Sequence, residues 1–327
     1  MYWKKQLKFH LLRIVYIFTL ILIFSNCREG LILIPPETNP YFAMKKEKNT
    51  QAQNTNARKF EKRIIQSRGS TIKKRDIKPE KIDKNIKGNY YGFLIGINNY
   101  RYWTKLKTPV NDIKVIKQIL KKQYGFKIKT LTNQKATRNN IIDSLNNYRT
   151  ILTSNDKFLI YYAGHGHFDK QTQKGYWIPV DAKTNSDTNW ILSDTIITNI
   201  KRISAKAVLI VSDSCFSGTL TRSGHNQLNS HDTLDIYLSK MLERRSRILI
   251  SSGGNEPVMD EGGSGHSVFA NFFIKSLENQ RVNIFASQDL FSNGLKECVA
   301  GSSGQVPEYQ IIRNSGHAGG DFVFKKH

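Results

Sequence analysis

His165 and Cys215 are the residues of this chain whose side chains could together perform nucleophilic chemistry. His165 lies in AGHGH, residues 163–167, and Cys215 lies in DSCFSG, residues 213–218. An imidazole can take the proton from a thiol and later give a proton to a leaving amine. The backbone N–H groups of Gly166 and Cys215 could stabilise the oxyanion that forms when the thiolate attacks a carbonyl. We therefore predict that His165 and Cys215 are a catalytic pair, with an oxyanion hole at Gly166 and Cys215.

Other chemistry is open to the same two motifs. Cys215 follows an apolar run, so it could be an inert core residue, or it could form a disulfide with Cys298. The sequence HGHFD runs from His165 through His167 to Asp169, and some metallohydrolases use the order H-x-H-x-D. The remaining histidines lack the spacing of metal ligands, so we predict no metal centre and no cofactor. The sequence contains no calcium-binding loop, and it leaves calcium activation open.

Alternating strands and helices must bring these residues together. Apolar runs of strand length precede both motifs and occur elsewhere in the chain, at residues 91–97, 126–132, 157–163, 206–213 and 247–252. Segments with helical spacing of apolar residues lie between or after them, at residues 110–125, 137–152, 266–279 and 287–300. This order predicts an α/β fold with a mainly parallel sheet and helices on both faces. In such sheets the ligand crevice lies at the carboxyl ends of the strands, where both motifs are found.

The motifs and their order resemble the caspase-like cysteine peptidases of family C14, in the metacaspase and bacterial orthocaspase branch. The resemblance covers about residues 90–325, and it is carried by YYAGHG (161–166), GYWIPVDA (175–182), NWILSD (189–194), VSDSCFSG (211–218), ISSGGNEPVMDEGGSGHSVFANFF (250–273) and GHAGGDFVF (316–324). The 50 residues from His165 to Cys215 match the spacing of caspases, whereas DSCFSG is the metacaspase version of the cysteine motif. The resemblance implies a three-layer caspase-like fold, with His165 as general base and acid and Cys215 as nucleophile. It also implies an endopeptidase whose partners are protein or peptide substrates.

Two acidic residues are candidates for substrate binding. Asp213 lies two residues before Cys215, and Asp112 lies in PVNDI, residues 109–113. In metacaspases and paracaspases the matching acids line the pocket for the residue before the cut, so the resemblance implies cleavage after Arg or Lys. Apart from the resemblance, Asp213 could cap a helix and Asp112 could be an acid at a helix N-terminus. A binding or scaffold protein that keeps the fold without cleaving is the alternative to an active peptidase.

The first 27 residues resemble the export signal of a bacterial lipoprotein. A positive head that ends at Arg13 precedes an 11-residue apolar core, residues 14–24, and FSNC, residues 24–27, resembles a lipobox. This apolar core is short for a membrane span, which needs about 20 residues. We predict a lipidated Cys27 and an exported, membrane-associated protein, with ordinary signal cleavage and an uncleaved anchor as the alternatives.

Residues 28–89 are predicted to be a basic, disordered linker, and residues 90–325 are predicted to be the peptidase domain. The chain has 50 Lys and Arg residues and 26 Asp and Glu residues, which gives a net charge of +24. Residues 1–87 hold 20 of the basic and 7 of the acidic residues, so they contribute +13. Such a segment could bind an anionic membrane surface. We expect no nucleic-acid partner, because the sequence contains no motif of a known nucleic-acid module.

Overall fold

The computed structural model of the protein describes residues 86–214, 221–222, 234–253 and 264–327. The predicted signal segment with Cys27, nearly all of the predicted linker and the predicted nucleophile Cys215 lie outside these ranges. Among the helices within these ranges, none is both long enough and apolar enough to cross a membrane.

A seven-stranded sheet forms the centre of the described part. Its strands are β1 (Tyr90–Gly96), β2 (Lys127–Thr132), β3 (Lys157–Ala163), β7 (Ala207–Asp213), β8 (Thr221–Arg222), β9 (Ser246–Ser251) and β11 (Glu308–Ile312). They run in the order β2-β1-β3-β7-β9-β11-β8. The first five in this order are parallel neighbours, and β11 and β8 pair antiparallel at one edge. The arrangement confirms the predicted α/β fold with a mainly parallel sheet.

Helices cover both faces of this sheet. The helices of the described part are α1 (Pro109–Tyr124), α2 (Arg138–Ile151), α3 (Ser193–Arg202), α4 (Leu234–Glu243), α5 (Val268–Glu278), α6 (Ser287–Leu290) and α7 (Lys296–Ser302). Buried residues of α1 and α5 form one core with one face of the sheet, and buried residues of α2 and α3 form a second core with the other face. Every residue of β3 and β7 is buried, because helices exclude water from both of their faces. These layers confirm the three-layer expectation.

Successive side chains of β3 divide between the two cores. Leu159 and Tyr161 belong to the core with α1 and α5, whereas Phe158, Ile160 and Tyr162 belong to the core with α2 and α3. This division follows from the two-residue period of a strand, in which neighbouring side chains point to opposite faces. Tyr161 and Tyr162 therefore mark opposite sides of the sheet near its carboxyl edge.

A small antiparallel sheet follows β3 in the chain. It consists of β4 (Gly166–Asp169), β5 (Lys174–Trp177) and β6 (Ile191–Leu192). Trp177 is buried and stacks on Tyr162 with ring centroids 4.4 Å apart, so one face of this small sheet extends the core beside β3. The sequence did not predict these strands, because strands of two to four residues show too little alternation to detect. β4 begins directly after His165, so this sheet supports the chain on which that histidine lies.

The single helix predicted over residues 287–300 is wrong. α6 ends at Leu290, a π-helical segment spans Phe291–Leu295, and α7 begins at Lys296. Gly294 has φ = 122°, a backbone conformation that L side chains rarely adopt and that cannot continue an α-helix. The apolar spacing nevertheless marks the buried side correctly, because Leu290, Leu295 and Val299 all lie in the core. The last strands, β10 (Ile284–Ala286) and β12 (Val323–Lys325), pair with each other antiparallel.

Candidate active site

β3 and β7 bring the two motifs to one edge of the central sheet. Ala163, the last residue of β3, pairs in register with Asp213, the last residue of β7. The backbone N–H of Gly164 donates to the carbonyl oxygen of Asp213 at 3.3 Å, which continues the contact beyond the strands. AGHGH and the first residues of DSCFSG therefore begin side by side. Cys215, the second residue after Asp213, lies outside the described residues.

The imidazole of His165 is oriented by Thr104, in the loop between β1 and α1. Its Nε2 lies 2.8 Å from the Thr104 carbonyl oxygen and 3.2 Å from Thr104 Oγ1. A carbonyl oxygen only accepts hydrogen bonds, so Nε2 carries the proton and donates it to Thr104. In the neutral imidazole Nδ1 then keeps its lone pair. Nδ1 is therefore the nitrogen of His165 that can take a proton from a thiol.

Two tyrosines hold the backbone of His165. Its N–H donates to the Tyr100 hydroxyl at 2.7 Å, and its carbonyl oxygen accepts from the Tyr162 hydroxyl at 2.6 Å. Gly164 is required here for a steric reason, because a Cβ on this residue would lie 2.4 Å from Tyr100 Oη. The glycine before the histidine thus allows the backbone to approach a tyrosine of the protein itself. These contacts fix the position from which the imidazole projects.

Gly166, the other predicted oxyanion-hole residue, is the first residue of β4. It is half-buried and pairs with Trp177 of β5. The N–H of Ile178, the residue after β5, donates to the His165 carbonyl at 3.1 Å, and His167 pairs with Tyr176 of β5, so the backbone is held on both sides of Gly166. A backbone fixed in this way is preorganised, which is the property that oxyanion stabilisation needs.

Asp112, the first predicted pocket acid, is fully buried in the first turn of α1. This position agrees with the helix N-terminal acid that the sequence offered as an alternative. Its Oδ1 lies 2.6 Å from Nδ1 of His266, whose side chain is 13% exposed. Burial raises the pKa of Asp112, and the hydrogen bond and charge of His266 oppose that rise. Asp112 is therefore held by a histidine that comes just before α5.

Asp213, the second predicted pocket acid, is 3% exposed at the end of β7. Its Oδ2 accepts a hydrogen bond of 2.6 Å from Ser267 Oγ. Ser267 is the N-cap of α5 and accepts from the N–H of Ala270 at 2.9 Å. The two acids thus contact consecutive residues, His266 and Ser267, at the positive end of the α5 helix dipole.

Tyr161 is a buried residue near the end of β3 that the sequence analysis did not single out. Its side chain is fully buried on the same side of the sheet as α1 and α5. Burial raises its pKa well above the ordinary value, and the charges of Asp213 and Asp112 raise it further. Tyr161 therefore lies within electrostatic reach of both carboxylates. The only hint of this position in the sequence was that YYAGHG and the segment ending at Asp213 are both apolar runs followed by a polar motif. The contacts of the two acids with His266 and Ser267 could not be predicted, because those residues are distant in the sequence.

The three polar side chains of HGHFD are engaged separately. His165 donates to Thr104, and the His167 ring lies against Trp190 with centroids 4.6 Å apart. Asp169 accepts from the N–H of Gln171 at 2.8 Å and from Thr172 Oγ1 at 2.8 Å, as in a tight polar turn. Hydrogen bonds to that turn lower the pKa of Asp169. The contacts of these three residues are thus separate from one another, with Thr104, Trp190 and a polar turn respectively.

Known proteins resemble this chain over parts of its length. It is 30% identical over 107 residues to human mucosa-associated lymphoid tissue lymphoma translocation protein 1, and 29% identical over 150 residues to metacaspase-1 of Eremothecium gossypii. These alignments cover 33% and 40% of this chain, and 12% and 32% of those two proteins. Among solved structures, caspase-1 of Spodoptera frugiperda superposes with a TM-score of 0.48 at 12% identity, over 70% of this chain and 88% of that chain.

A family model of the caspase domain covers the strands and both motifs. The model, Peptidase C14, matches residues 91–312, about two thirds of the 327-residue chain. The matched range begins in β1 and ends with β11, and it includes His165 and Cys215. The chain belongs to the caspase-domain family of cysteine peptidases, peptidase family C14.

Proposed function

We propose that the protein is a cysteine endopeptidase in which Cys215 attacks the substrate and His165 transfers the protons. The register of β3 with β7 carries this proposal, because Ala163 lies opposite Asp213 and each motif continues from that pair. The orientation of His165 by Thr104 is further support. Protein and peptide substrates agree with the family.

The proposed reaction uses Nδ1 of His165 as the base, because Nε2 is already committed to Thr104. Nδ1 takes the thiol proton of Cys215, and the sulfur forms a bond to the carbonyl carbon of the scissile peptide. The carbonyl oxygen becomes an oxyanion that the N–H groups of Gly166 and Cys215 stabilise. The protonated His165 then gives its proton to the amine as the C–N bond breaks. Water hydrolyses the remaining thioester and restores the thiol.

Cleavage after Arg or Lys is the proposed specificity, with Asp213 and Asp112 as the pocket acids. In support, both carboxylates are buried, and they contact consecutive residues, His266 and Ser267, at the start of α5. A buried, low-dielectric site strengthens the attraction between a carboxylate and a cationic side chain. Asp213 is the first residue of the cysteine motif, whereas Asp112 lies in α1, so we expect Asp213 to contribute more.

The test of the nucleophile uses the full chain and fluorogenic peptides that end in Arg, Lys or Asp before the reporter. We expect Arg and Lys peptides to be cleaved, and we expect Cys215→Ala and His165→Ala to lose at least about a thousandfold in kcat/KM. Cys298→Ala is the matched control, because it removes a buried cysteine of α7 and leaves the motifs intact. Every assay is run with added calcium and with a chelator.

Each other result of that assay has a defined meaning. Activity that survives Cys215→Ala would refute the thiol mechanism. The absence of cleavage with all peptides, with and without calcium, would favour a binding or scaffold protein that keeps the caspase fold. Cleavage after Asp alone would refute the basic specificity while leaving the nucleophile in place.

We also propose that the protein is exported and anchored to a membrane through lipidated Cys27, with the basic segment that follows contacting anionic lipid. The support is the order of positive head, short apolar core and FSNC in the first 27 residues. Mass spectrometry of the mature N-terminus should show a diacylglyceryl group on Cys27. Cys27→Ser should release the chain from the membrane fraction. An unmodified Cys27 within an intact N-terminus would refute lipidation.

A further inference from the structure

Four half-buried aromatic rings form a connected cluster that reaches His165 through one of its members. They are Trp103, His167, Tyr176 and Trp190, and we name them the aromatic wall. Trp190 is at the centre, with ring centroids 4.6 Å from His167, 5.4 Å from Tyr176 and 5.7 Å from Trp103. Trp103 also lies 5.6 Å from the His165 ring. The wall is therefore continuous with the candidate active site.

Three rings of the wall, Trp103, Tyr176 and Trp190, pack on the core that contains Trp177 and Tyr162 and stay half-buried at its edge. On β5, Trp177 is buried and stacks on Tyr162, whereas its neighbour Tyr176 is half-buried on the opposite side of the strand. The orientation of Trp190 is fixed, because its Nε1 donates to the Lys183 carbonyl oxygen at 2.7 Å. Large aromatic rings that stay partly exposed beside a reactive group are typical of ligand-binding surfaces.

The position of the wall relates it to one part of a substrate. A histidine that protonates the leaving amine must lie within hydrogen-bond reach of the leaving segment. The proposed pocket acids lie on the α1 and α5 side of the sheet with Tyr161, whereas the small sheet packs through Trp177 on the Tyr162 side. A peptide whose basic side chain reaches the acids would therefore pass His165 and continue toward the wall.

The charges around the wall indicate what it can bind. Lys183 Nζ lies 6.0 Å from the Tyr102 ring, which places a positive charge on this side of the molecule. Asp169 is bonded within its own turn, and Asp194 forms ion pairs with Lys174 at 2.5 Å and Arg313 at 2.7 Å. Asp169 and Asp194 are therefore already engaged and offer no free charge to a cation. The exposed Asp187, whose carbonyl oxygen accepts from the Trp190 N–H, is a further carboxylate near the wall, and the Lys peptides described below test it as a cation site. Aromatic rings pair at centroid distances of about 4.5–7 Å, the range already found within the wall.

We infer that the aromatic wall is a subsite for a large apolar side chain, preferentially aromatic, on the leaving part of the substrate. The inference rests on the proposed function for the direction of the peptide. In this inference Trp190 and Trp103 bind the substrate residues just after the scissile bond, whereas the pocket acids bind the substrate residue before that bond.

Internally quenched peptides test this subsite in the full-length protein. All of them carry one Arg, and either of the two following positions is Ala, Phe or Lys. We expect the better Phe peptide to exceed the Ala peptide in kcat/KM by about tenfold. This is the lower end of the roughly 10- to 200-fold that one methylene is worth in a hydrophobic pocket, because the wall is only half-buried. In Trp190→Ala this ratio should fall to within about twofold of one, and Trp190→Phe should recover part of it.

Tyr91→Ala is the matched control variant. Tyr91 is also a half-buried aromatic residue, but it lies at the amino end of β1, where it contacts Tyr148 and Lys127. Its Phe-to-Ala ratio should equal that of the wild type. Equal rates for Phe and Ala peptides in the wild type, or an unchanged ratio in Trp190→Ala, would overturn the inference. A Lys preference that disappears in Trp190→Ala would also overturn it and would show a cation site.

A binding measurement separates this inference from the proposed function. Cys215→Ala is titrated with short peptides whose free N-terminal residue is Phe or Ala, and tryptophan fluorescence is followed. We expect about tenfold tighter binding of the Phe peptide and loss of that difference in the double variant with Trp190→Ala. If no peptide is cleaved but this difference is found, the proposed function fails and the subsite stands. Equal binding of the two peptides refutes the subsite even in an active peptidase.

Discussion

Gly164 illustrates how single residues control the position of His165. Its backbone lies so close to Tyr100 that a methyl group would come within 2.4 Å of the hydroxyl oxygen. That same hydroxyl accepts the N–H of His165 at 2.7 Å. Tyr100 can therefore accept the hydrogen bond from His165 only because residue 164 is a glycine. A catalytic proton transfer is sensitive to displacements of about 1 Å, so under the proposed mechanism this packing would affect activity as well as stability.

Gly164→Ala should lower kcat/KM at least about tenfold and reduce the free energy of unfolding by about 1–3 kcal/mol, because overpacking forces the backbone or Tyr100 to move. Gly304→Ala is the control, since no atom lies within 4 Å of the added Cβ. Urea unfolding and peptide cleavage measure the two effects. Adding Tyr100→Phe removes the clashing oxygen, so the double variant should lose less stability than the sum of the single variants. Strict additivity would contradict the steric explanation.

The N-terminus of α5 is the element that connects the fold to the proposed pocket. Ser267 caps α5 and donates to Asp213, while His266 binds Asp112 of α1. The side chain of Asn111 donates to the Gly265 carbonyl at 2.8 Å, which ties the start of α1 to the same turn. One helix end therefore fixes both acids, although α1, β7 and α5 are far apart in the chain.

Ser267→Ala should destabilise the protein by about 2–4 kcal/mol, because it removes a helix cap and leaves the buried Asp213 without its hydroxyl donor. Thr137→Ala is the matched comparison. Thr137 caps α2 by accepting from the Asn140 N–H at 3.3 Å, and its loss should cost about 1 kcal/mol. Chemical unfolding of both variants gives the comparison. Equal losses in the two variants would show that the Ser267–Asp213 hydrogen bond contributes nothing.

A buried polar network around Asp321 connects elements near the C-terminal end of the chain. Its Oδ1 accepts from Ser287 Oγ at 2.5 Å and from the Tyr309 hydroxyl at 2.6 Å, and its Oδ2 accepts from the Gln288 N–H at 3.1 Å. These bonds join α6 and β11 to a residue that lies two positions before the last strand. Burial raises the pKa of Asp321 to about 6, although every hydrogen bond it accepts opposes that rise.

This raised pKa predicts a pH dependence of the free energy of unfolding. The folded pKa of about 6 exceeds the ordinary value of 3.8, so the folded protein holds the proton more tightly than the unfolded chain. Stability assigned to Asp321 is therefore lost as pH rises from about 4 to about 6, by roughly 3 kcal/mol in total. Carboxyls with lowered pKa values, such as Asp156 and Asp194, make the free energy of unfolding rise with pH instead. The prediction therefore concerns the difference in the free energy of unfolding between the wild type and a variant without Asp321.

Asp321→Asn removes the titrating group and provides that difference. The free energy of unfolding of the wild type minus that of the variant should fall between pH 4 and pH 7, as measured by urea unfolding at several pH values. Asp187→Asn, at an exposed position outside the Asp321 network, is the control for the general effect of replacing an aspartate by asparagine. Parallel pH profiles of the wild type and Asp321→Asn would refute the assignment.

The local pattern of the sequence determined the layers, the main strands and the edge at which His165 lies. Strands β3 and β7 were predictable because each is a continuous apolar run. A strand needs such a run when helices cover both faces of its sheet. The motif order pointed to the family that the domain model shows. The sequence did not predict the four-residue strands β4 and β5, because their position depends on the stacking of Trp177 on Tyr162. It did not predict the break in the last helical region either, because that break depends on the positive φ angle of Gly294.

Only the tertiary structure decided which side chains surround the motifs. The residue types of Asp112 and Asp213 were visible in the sequence, but their partners His266 and Ser267 lie 154 and 54 residues further along the chain. The same is true of Thr104, which orients His165 across 61 residues, and of the aromatic wall. Local spacing reports which face of an element is buried, because that depends on its own period. A contact between distant elements depends on how they pack, and a single sequence contains no periodic signal for that packing.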